Sequence, residues 1–273
     1  MPCYAGVDAG STTAKVVLID DAATVVARAI RPGGANLAAA AAASLEDALR
    51  AVSASRNDVA CLVATGYGRN AVSDADRSIT EITCHARGIF HLDPTARGII
   101  DIGGQDSKAI VIDASGAVVR FEMNDKCAAG TGRFLEVMAR TLEIPLEQMG
   151  TLALESDNPA AISSTCTVFA ESEVVSLAAQ GRPVADILAG LCRAVAARAA
   201  GLAGRARLQA PIVMTGGVAR NPAVVAMIAE KLDTPISVPA DPQFSGALGA
   251  ALFAMDTASR QPRRVPRPQE IPS

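Results

Sequence analysis

Two short segments carry the residue types that phosphate chemistry needs. Asp8-Ala9-Gly10-Ser11-Thr12-Thr13-Ala14-Lys15 is answered 93 residues later by Asp101-Ile102-Gly103-Gly104-Gln105-Asp106-Ser107-Lys108. Each follows an apolar run that ends in Asp-x-Gly, and glycine lets a backbone come close to phosphate oxygens. The first segment assigns Gly10, Ser11, Thr12, Thr13, Ala14 and Lys15 to nucleotide binding, with hydroxyls and amides facing phosphate. The second assigns Gly103, Gly104, Gln105 and Asp106. Asp8 and Asp101 are the expected Mg²⁺ residues, acting through the ion's waters because Mg²⁺ keeps much of its hydration shell. With Gln105, which can orient a water, they form the expected catalytic set. Lys15 and Lys108 either contact phosphate or point elsewhere on their hairpins.

A third glycine turn, Met214-Thr215-Gly216-Gly217-Val218-Ala219-Arg220-Asn221, leaves an apolar run and opens a helical pattern. Gly216, Gly217 and Asn221 allow a flat group such as adenosine to lie on the backbone. Three ordinary hairpin or helix-entry turns would be the plainer reading. Walker A and GxGxxG patterns are absent, which excludes P-loop and Rossmann sites.

The elements that must position these turns follow from the same repeat. Beyond the two lysines, Ile19 matches Ile112 and Asp20 matches Asp113 without a gap. A duplicated strand–turn–strand unit implies an α/β protein of two similar lobes with a cleft between them. The expected boundaries are 1–97, 98–257 and a Pro/Arg-rich tail over 258–273, frayed and dispensable. Helices are predicted over 36–54, 80–90, 132–142, 167–179, 186–202, 221–232 and 245–255, and further strands over 59–64 and 212–215. The poly-alanine run after Asn36 is therefore helix.

Composition narrows the partners. The chain has 273 residues, half of them hydrophobic, so it has material for a large core. Twenty-five basic against 28 acidic residues give a net charge of −3, which argues against nucleic acid as the main partner. No membrane span and no signal peptide are read in the sequence, so the expected location is cytoplasmic.

The six cysteines form no CxxC pair, and a disulfide framework is not expected in a reducing compartment. Cys127 lies in Asn124-Asp125-Lys126-Cys127-Ala128-Ala129-Gly130-Thr131-Gly132, just ahead of a helix, and Cys166 at a second helix start behind Ser163, Ser164 and Thr165, which suit an N-cap. A helix N-terminus favours a thiolate. On spacing alone the two are either metal ligands or buried capping thiols. A [4Fe–4S] cluster usually takes four thiolates, and a two-fold dimer would supply the second pair.

The three glycine turns resemble the phosphate and adenosine motifs of the actin, sugar-kinase and heat-shock-chaperone ATPases. That resemblance implies two ribonuclease-H-like lobes around ATP, with Gln243, in the loop before the final helix, near the base. The motifs at 64–70, 101–106, 124–134 and 163–173 resemble the activators of (R)-2-hydroxyacyl-CoA dehydratases, a family that includes the ATPase subunits of benzoyl-CoA reductase. The likeness covers residues 4–255. It implies a homodimer bridged by one [4Fe–4S] cluster, held by Cys127 and Cys166 of each subunit. It also implies helices that start at these cysteines, ATP/ADP and Mg²⁺ in the cleft, ferredoxin or flavodoxin as electron donor, and a 2-hydroxyacyl-CoA dehydratase or related CoA-thioester reductase as acceptor. A benzoyl-CoA-type or double-cubane reductase, a small-molecule kinase and a cluster-free ATPase clamp are the alternatives. His85 and His91 are read as surface or partner-facing, Glu171 and Glu173 as electrostatic caps, and Tyr67 and Arg69 as lining the cleft or supporting an interface.

Overall fold

The computed structural model describes residues 3–125, 127–162 and 166–260. The tail over 261–273 and Ser163, Ser164 and Thr165 lie outside the described residues, as does Lys126. The first half forms β1 (Cys3–Ala9), β2 (Thr13–Ile19), β3 (Val25–Pro32), α1 (Leu37–Ala51), β4 (Val59–Thr65), β5 (Arg77–Ser78) and α2 (Glu81–Leu92). The second forms β6 (Gly98–Ile102), β7 (Ser107–Ile112), β8 (Val118–Asn124), α3 (Gly132–Thr141), α4 (Met149–Ala153), α5 (Thr167–Ala179), α6 (Val184–Ala206), β9 (Ile212–Thr215), α7 (Pro222–Leu232), β10 (Ile236–Ser237) and α8 (Ser245–Arg260).

The two sheets are the same sheet built twice. The first runs β3-β2-β1-β4-β5 and the second β8-β7-β6-β9-β10. In each, three antiparallel strands are followed by parallel additions. The register matches too: Asp8 opposes Lys15 and Thr65, and Asp101 opposes Lys108 and Thr215. The repeat seen in the first two strands thus extends to the fourth, where Thr65-Gly66 answers Thr215-Gly216.

Strand alternation sends successive side chains to opposite faces. On the first sheet Ala5, Val7, Ala14, Val16 and Leu18 meet Ala41, Leu45, Ala48 and Leu49 of α1. Val17 and Ile19 face the other way, onto Ala247, Leu248, Ala251 and Leu252 of α8. On the second sheet Ile99, Ile110, Ile112 and Val213 pack on Ile82, Ala86 and Ile89 of α2. Ile100, Ile102, Ile212 and Met214 face the large core that holds α3–α7. Each sheet is therefore covered on one face by a helix from the other half of the chain. Helix α8 follows the second sheet in sequence but packs on the first. The two exchanged helices cross where glycine permits: a Cβ on Gly249 would collide with the Cys84 carbonyl.

The helix caps follow the sequence. Asn36 accepts from Ala39 N–H, Thr80 from Thr83 N–H and Asn221 from Val224 N–H. Helix α6 was not weighed as a candidate span in the sequence. By length and apolarity it could cross a bilayer, but 61% of its apolar window is buried in the second lobe's core.

Candidate functional site

A cavity of about 600 Å³ opens between the sheets, where both Asp-x-Gly hairpins and the third glycine turn meet. Asp8, Gly10, Ser11, Thr12, Thr13 and Lys15 line it from the first lobe. Asp101, Gly103, Gly104, Asp106, Gly216, Gly217, Asn221 and Gln243 line the other side. The hairpins nearly touch, since a Cβ on Gly104 would strike the Thr12 side chain. Gly216 has φ +84°, which L side chains rarely adopt, and a Cβ there would run into the Ile102 carbonyl. The loop before α8 backs this turn: Gly216 N–H donates to the Pro242 carbonyl at 2.9 Å, and Arg220 Nη1 donates to Gln243 Oε1 at 3.3 Å.

Two expected residues lie elsewhere. Gln105 does not line the cavity: Gly103 N–H closes on the Asp106 carbonyl at 3.0 Å, and the tight turn leaves Gln105 exposed. Ala14 sits in the hairpin's second strand, and the strand alternation turns its side chain into the core beneath α1.

The duplicated carboxylates differ in their surroundings. Lys15 Nζ meets Asp8 Oδ2 at 3.1 Å. Lys108 Nζ meets three carboxylates, Asp106 at 2.8 Å, Asp101 at 3.3 Å and Glu81 at 3.7 Å, with its side chain only 3% exposed. Burial works against the Lys108 charge, but Asp101, Asp106 and Glu81 outweigh it and hold the ammonium above its ordinary range. Burial likewise pushes against ionised Asp101; His85, Lys108 and the Thr215 hydroxyl, donating at 2.9 Å, together hold that carboxyl well below the usual range. Burial raises Glu81, with Lys108 pulling the other way. Two buried carboxylates facing the cavity from opposite lobes form an oxygen donor set suited to a hydrated Mg²⁺.

Sequence reasoning missed part of the lining. Glu81 and His85, one turn apart on α2, both face the cleft, as do Glu136, Leu146 and Glu147. His85 is not on the surface: it is wedged between α8 and the second lobe, with Nε2 3.7 Å from Asp101 Oδ2. The usable signal was a polar pair at i, i+4 on a helix face otherwise made of Ile82, Ala86 and Ile89. Tyr67 lines the cleft. Arg69 instead caps its own turn through the Gly66 carbonyl.

Of the six cysteines, Cys127 and Cys166 are exposed and Cys3, Cys61, Cys84 and Cys192 are buried. Burial pushes the Cys61 thiol up to about 11 and those of Cys84 and Cys192 to about 12. Exposed sulfur donors from two segments of one chain fit a cluster completed by a second chain. Cys166 is itself the N-cap residue of α5, without a side-chain capping bond. Cys127 is not at a helix start: α3 begins five residues on, behind Thr131, because Thr131 and Gly130 turn the chain first.

Three hydrogen bonds join the Cys127 segment to the second hairpin. Gly132 N–H donates to the Gly103 carbonyl and Arg133 N–H to the Gly104 carbonyl, both at 2.8 Å. Ser107 Oγ donates to the Gly130 carbonyl at 2.9 Å. At the far end of α3, Thr141 Oγ1 donates to Glu171 Oε1 of α5 at 3.0 Å. Glu171 is therefore a tie between helices. Residues 5–254 match the model of one protein family. The chain belongs to the BadF/BadG/BcrA/BcrD ATPase family. As a member of this family it is an ATPase. It is 50% identical over 256 residues to the activator of lactoyl-CoA dehydratase of Anaerotignum propionicum, covering 94% of this chain and 98% of that one. The solved activator of the 2-hydroxyisocaproyl-CoA dehydratase from Clostridium difficile, with bound ADPNP, superposes with a TM-score of 0.91 at 45% identity, over 94% of this chain and 96% of that one. A glucokinase from Streptomyces griseus, 15% identical with a TM-score of 0.61 over 93% and 99% of the two chains, shares the two-lobed fold alone.

Proposed function

We propose that this ATPase is an electron activator: a homodimer that couples ATP hydrolysis in the cleft to low-potential, single-electron transfer into a 2-hydroxyacyl-CoA dehydratase. The observation that carries the coupling is the set of hydrogen bonds from Gly130, Gly132 and Arg133 to the Gly103–Ser107 hairpin. A hairpin that follows the phosphates cannot move without straining the segment that bears Cys127. The Thr141–Glu171 bond extends the connection to α5, which Cys166 opens. An ATP-driven change of state needs such differential contacts between the nucleotide and what it controls.

In this reading Ser11, Thr12, Thr13 and the hairpin glycines hold the phosphates, and Asp8 and Asp101 hold Mg²⁺ through its waters. The Gly216–Gly217 turn and Gln243 flank the adenosine. Cys127 and Cys166 of each subunit would hold one [4Fe–4S] cluster, which would supply a one-electron store, with ferredoxin or flavodoxin as the electron donor. The four buried, free thiols suit a reducing cytoplasm. The likeness to two activators of different 2-hydroxyacyl-CoA dehydratases supports this partner class without choosing a substrate.

The test is anaerobic purification. A brown dimer with about four irons is expected, because such clusters take four thiolates. Cys127→Ser and Cys166→Ser should each lose the iron and keep ATP binding. A monomer without iron overturns the cluster, and a colourless ATP-dependent phosphotransferase favours a kinase. Electron transfer to a benzoyl-CoA-type or double-cubane reductase, but to no dehydratase, would move the partner.

A further inference from the structure

His85 is 7% exposed, lines the cleft, and its Nδ1 is buried without a hydrogen-bond partner. Its Nε2 stands 3.7 Å from Asp101 Oδ2, longer than a hydrogen bond. A point beside Gly246, where a Cβ would lie, is 3.0 Å from His85 Nε2 and 3.5 Å from Asp8 Oδ2. The imidazole thus stands beside Asp101 and faces Asp8 across the space that the missing side chain at Gly246 leaves free. The adjacent carboxylate can only accept, so it favours the arrangement with hydrogen on Nε2. A polar contact beyond 3.5 Å between two buried groups is the usual place for a bridging water. The buried Nδ1, left without a partner, is a cost that a purely structural histidine would avoid.

We propose that His85 is a positioning residue of the hydrolysis step, its Nε2–H ordering the attacking water beside Asp101. This rests on reading the cleft as the site of hydrolysis. In that step the water oxygen forms a new bond to the terminal phosphorus. The bridging P–O bond breaks with its electron pair going to ADP, and both of the water's protons leave with the phosphate, as dihydrogen phosphate. His85 neither gives nor takes a proton. It fixes where the water waits, so its loss should slow turnover without weakening ATP binding.

The experiment compares wild type with His85→Phe, His85→Gln and His85→Ala, measuring kcat and KM for ATP beside a thermal melt. Phenylalanine keeps the volume and removes the donor, while glutamine keeps an N–H. Losing one preorganised donor costs on the order of 10²-fold in turnover. His85→Phe should therefore lower kcat by about that factor with KM within about two-fold, His85→Gln should retain more, and added imidazole should partly restore His85→Ala. A purely structural role would lower the melting temperature, move kcat and KM together and give no rescue, and that pattern overturns the proposal. So does a well-folded His85→Phe with wild-type kcat. If wild type itself binds ATP without hydrolysing it, the reading of the cleft fails instead.

Discussion

Replacing Lys108 by methionine tests the charge balance on which the cleft depends. The two lysines occupy equivalent register positions, yet Lys108 is surrounded by three carboxylates within 3.7 Å and Lys15 pairs with one. Methionine keeps most of the volume and deletes the charge. Breaking a buried ion pair from one side costs about 3–5 kcal/mol, because the remaining charge stays buried and uncompensated. Lys15→Met removes a single charge-assisted bond in a wetter setting, worth about 1.5–3 kcal/mol. Urea unfolding at pH 7 should therefore separate the variants by about 2 kcal/mol, Lys108→Met being the weaker. The pH dependence has a fixed sign. Asp101 is held below its ordinary pKa, so its ionised form contributes stability that is complete above about pH 4 and is lost as pH falls through the folded value. Lys108→Met removes much of that contribution. Its deficit against wild type should be full at pH 7 and shrink below about pH 4, as the abandoned carboxylates take up protons. Equal losses for the two variants, or a deficit that grows on acidification, would refute the reasoning.

In cluster-free protein a thiol reagent at pH 8 should label two cysteines rapidly, one fewer in Cys127→Ser or Cys166→Ser; a third fast thiol would contradict the burial of the other four. Gly249→Ala should overpack the α2–α8 crossing by about 2–3 kcal/mol, read as a melting temperature lower by about 5–10 °C. An unchanged melt would mean the helices can part freely. Thr215→Val removes the hydroxyl donating to Asp101 and should cost about 1–3 kcal/mol in urea unfolding. Glu171→Met removes the acceptor of the Thr141 hydroxyl and should leave ATP binding intact while reducing ATP-driven reduction of a dehydratase; full electron transfer would show that the Thr141 tie carries no signal.

Much of this arrangement was legible because its determinants are local. The turn-forming glycines, the strand-end aspartates and the capping Asn36 and Asn221 speak through their own neighbourhoods. Strands β3 and β8 went unread because most of their residues taken together, Arg28, Arg31, Arg120 and Phe121 among them, are exposed at sheet edges, so neither strand shows a buried apolar run. His85 and Glu81 were hidden for the opposite reason. Only tertiary packing turns α2 toward the cleft, and the one local sign of it was the Glu81–His85 pair set on an otherwise apolar helix face. The poor match at Gln105 arose because equal spacing in two hairpins does not give equal side-chain direction at their tips. The helix following Cys127 starts late for a similar reason: the turn at Gly130, with φ +92°, intervenes.

The crossed placement of α2 and α8 has a consequence for biosynthesis. While the polypeptide is emerging from the ribosome, the sheet made first has Val17, Ile19, Cys61 and Val63 on a bare face, and their cover is α8, the last helix among the described residues. The N-terminal half cannot complete its fold until residues 245–260 have emerged. A nascent chain stalled before residue 245 presents a sticky, half-clad sheet, so chaperone capture and proteolysis should fall on fragments ending there rather than on the finished protein.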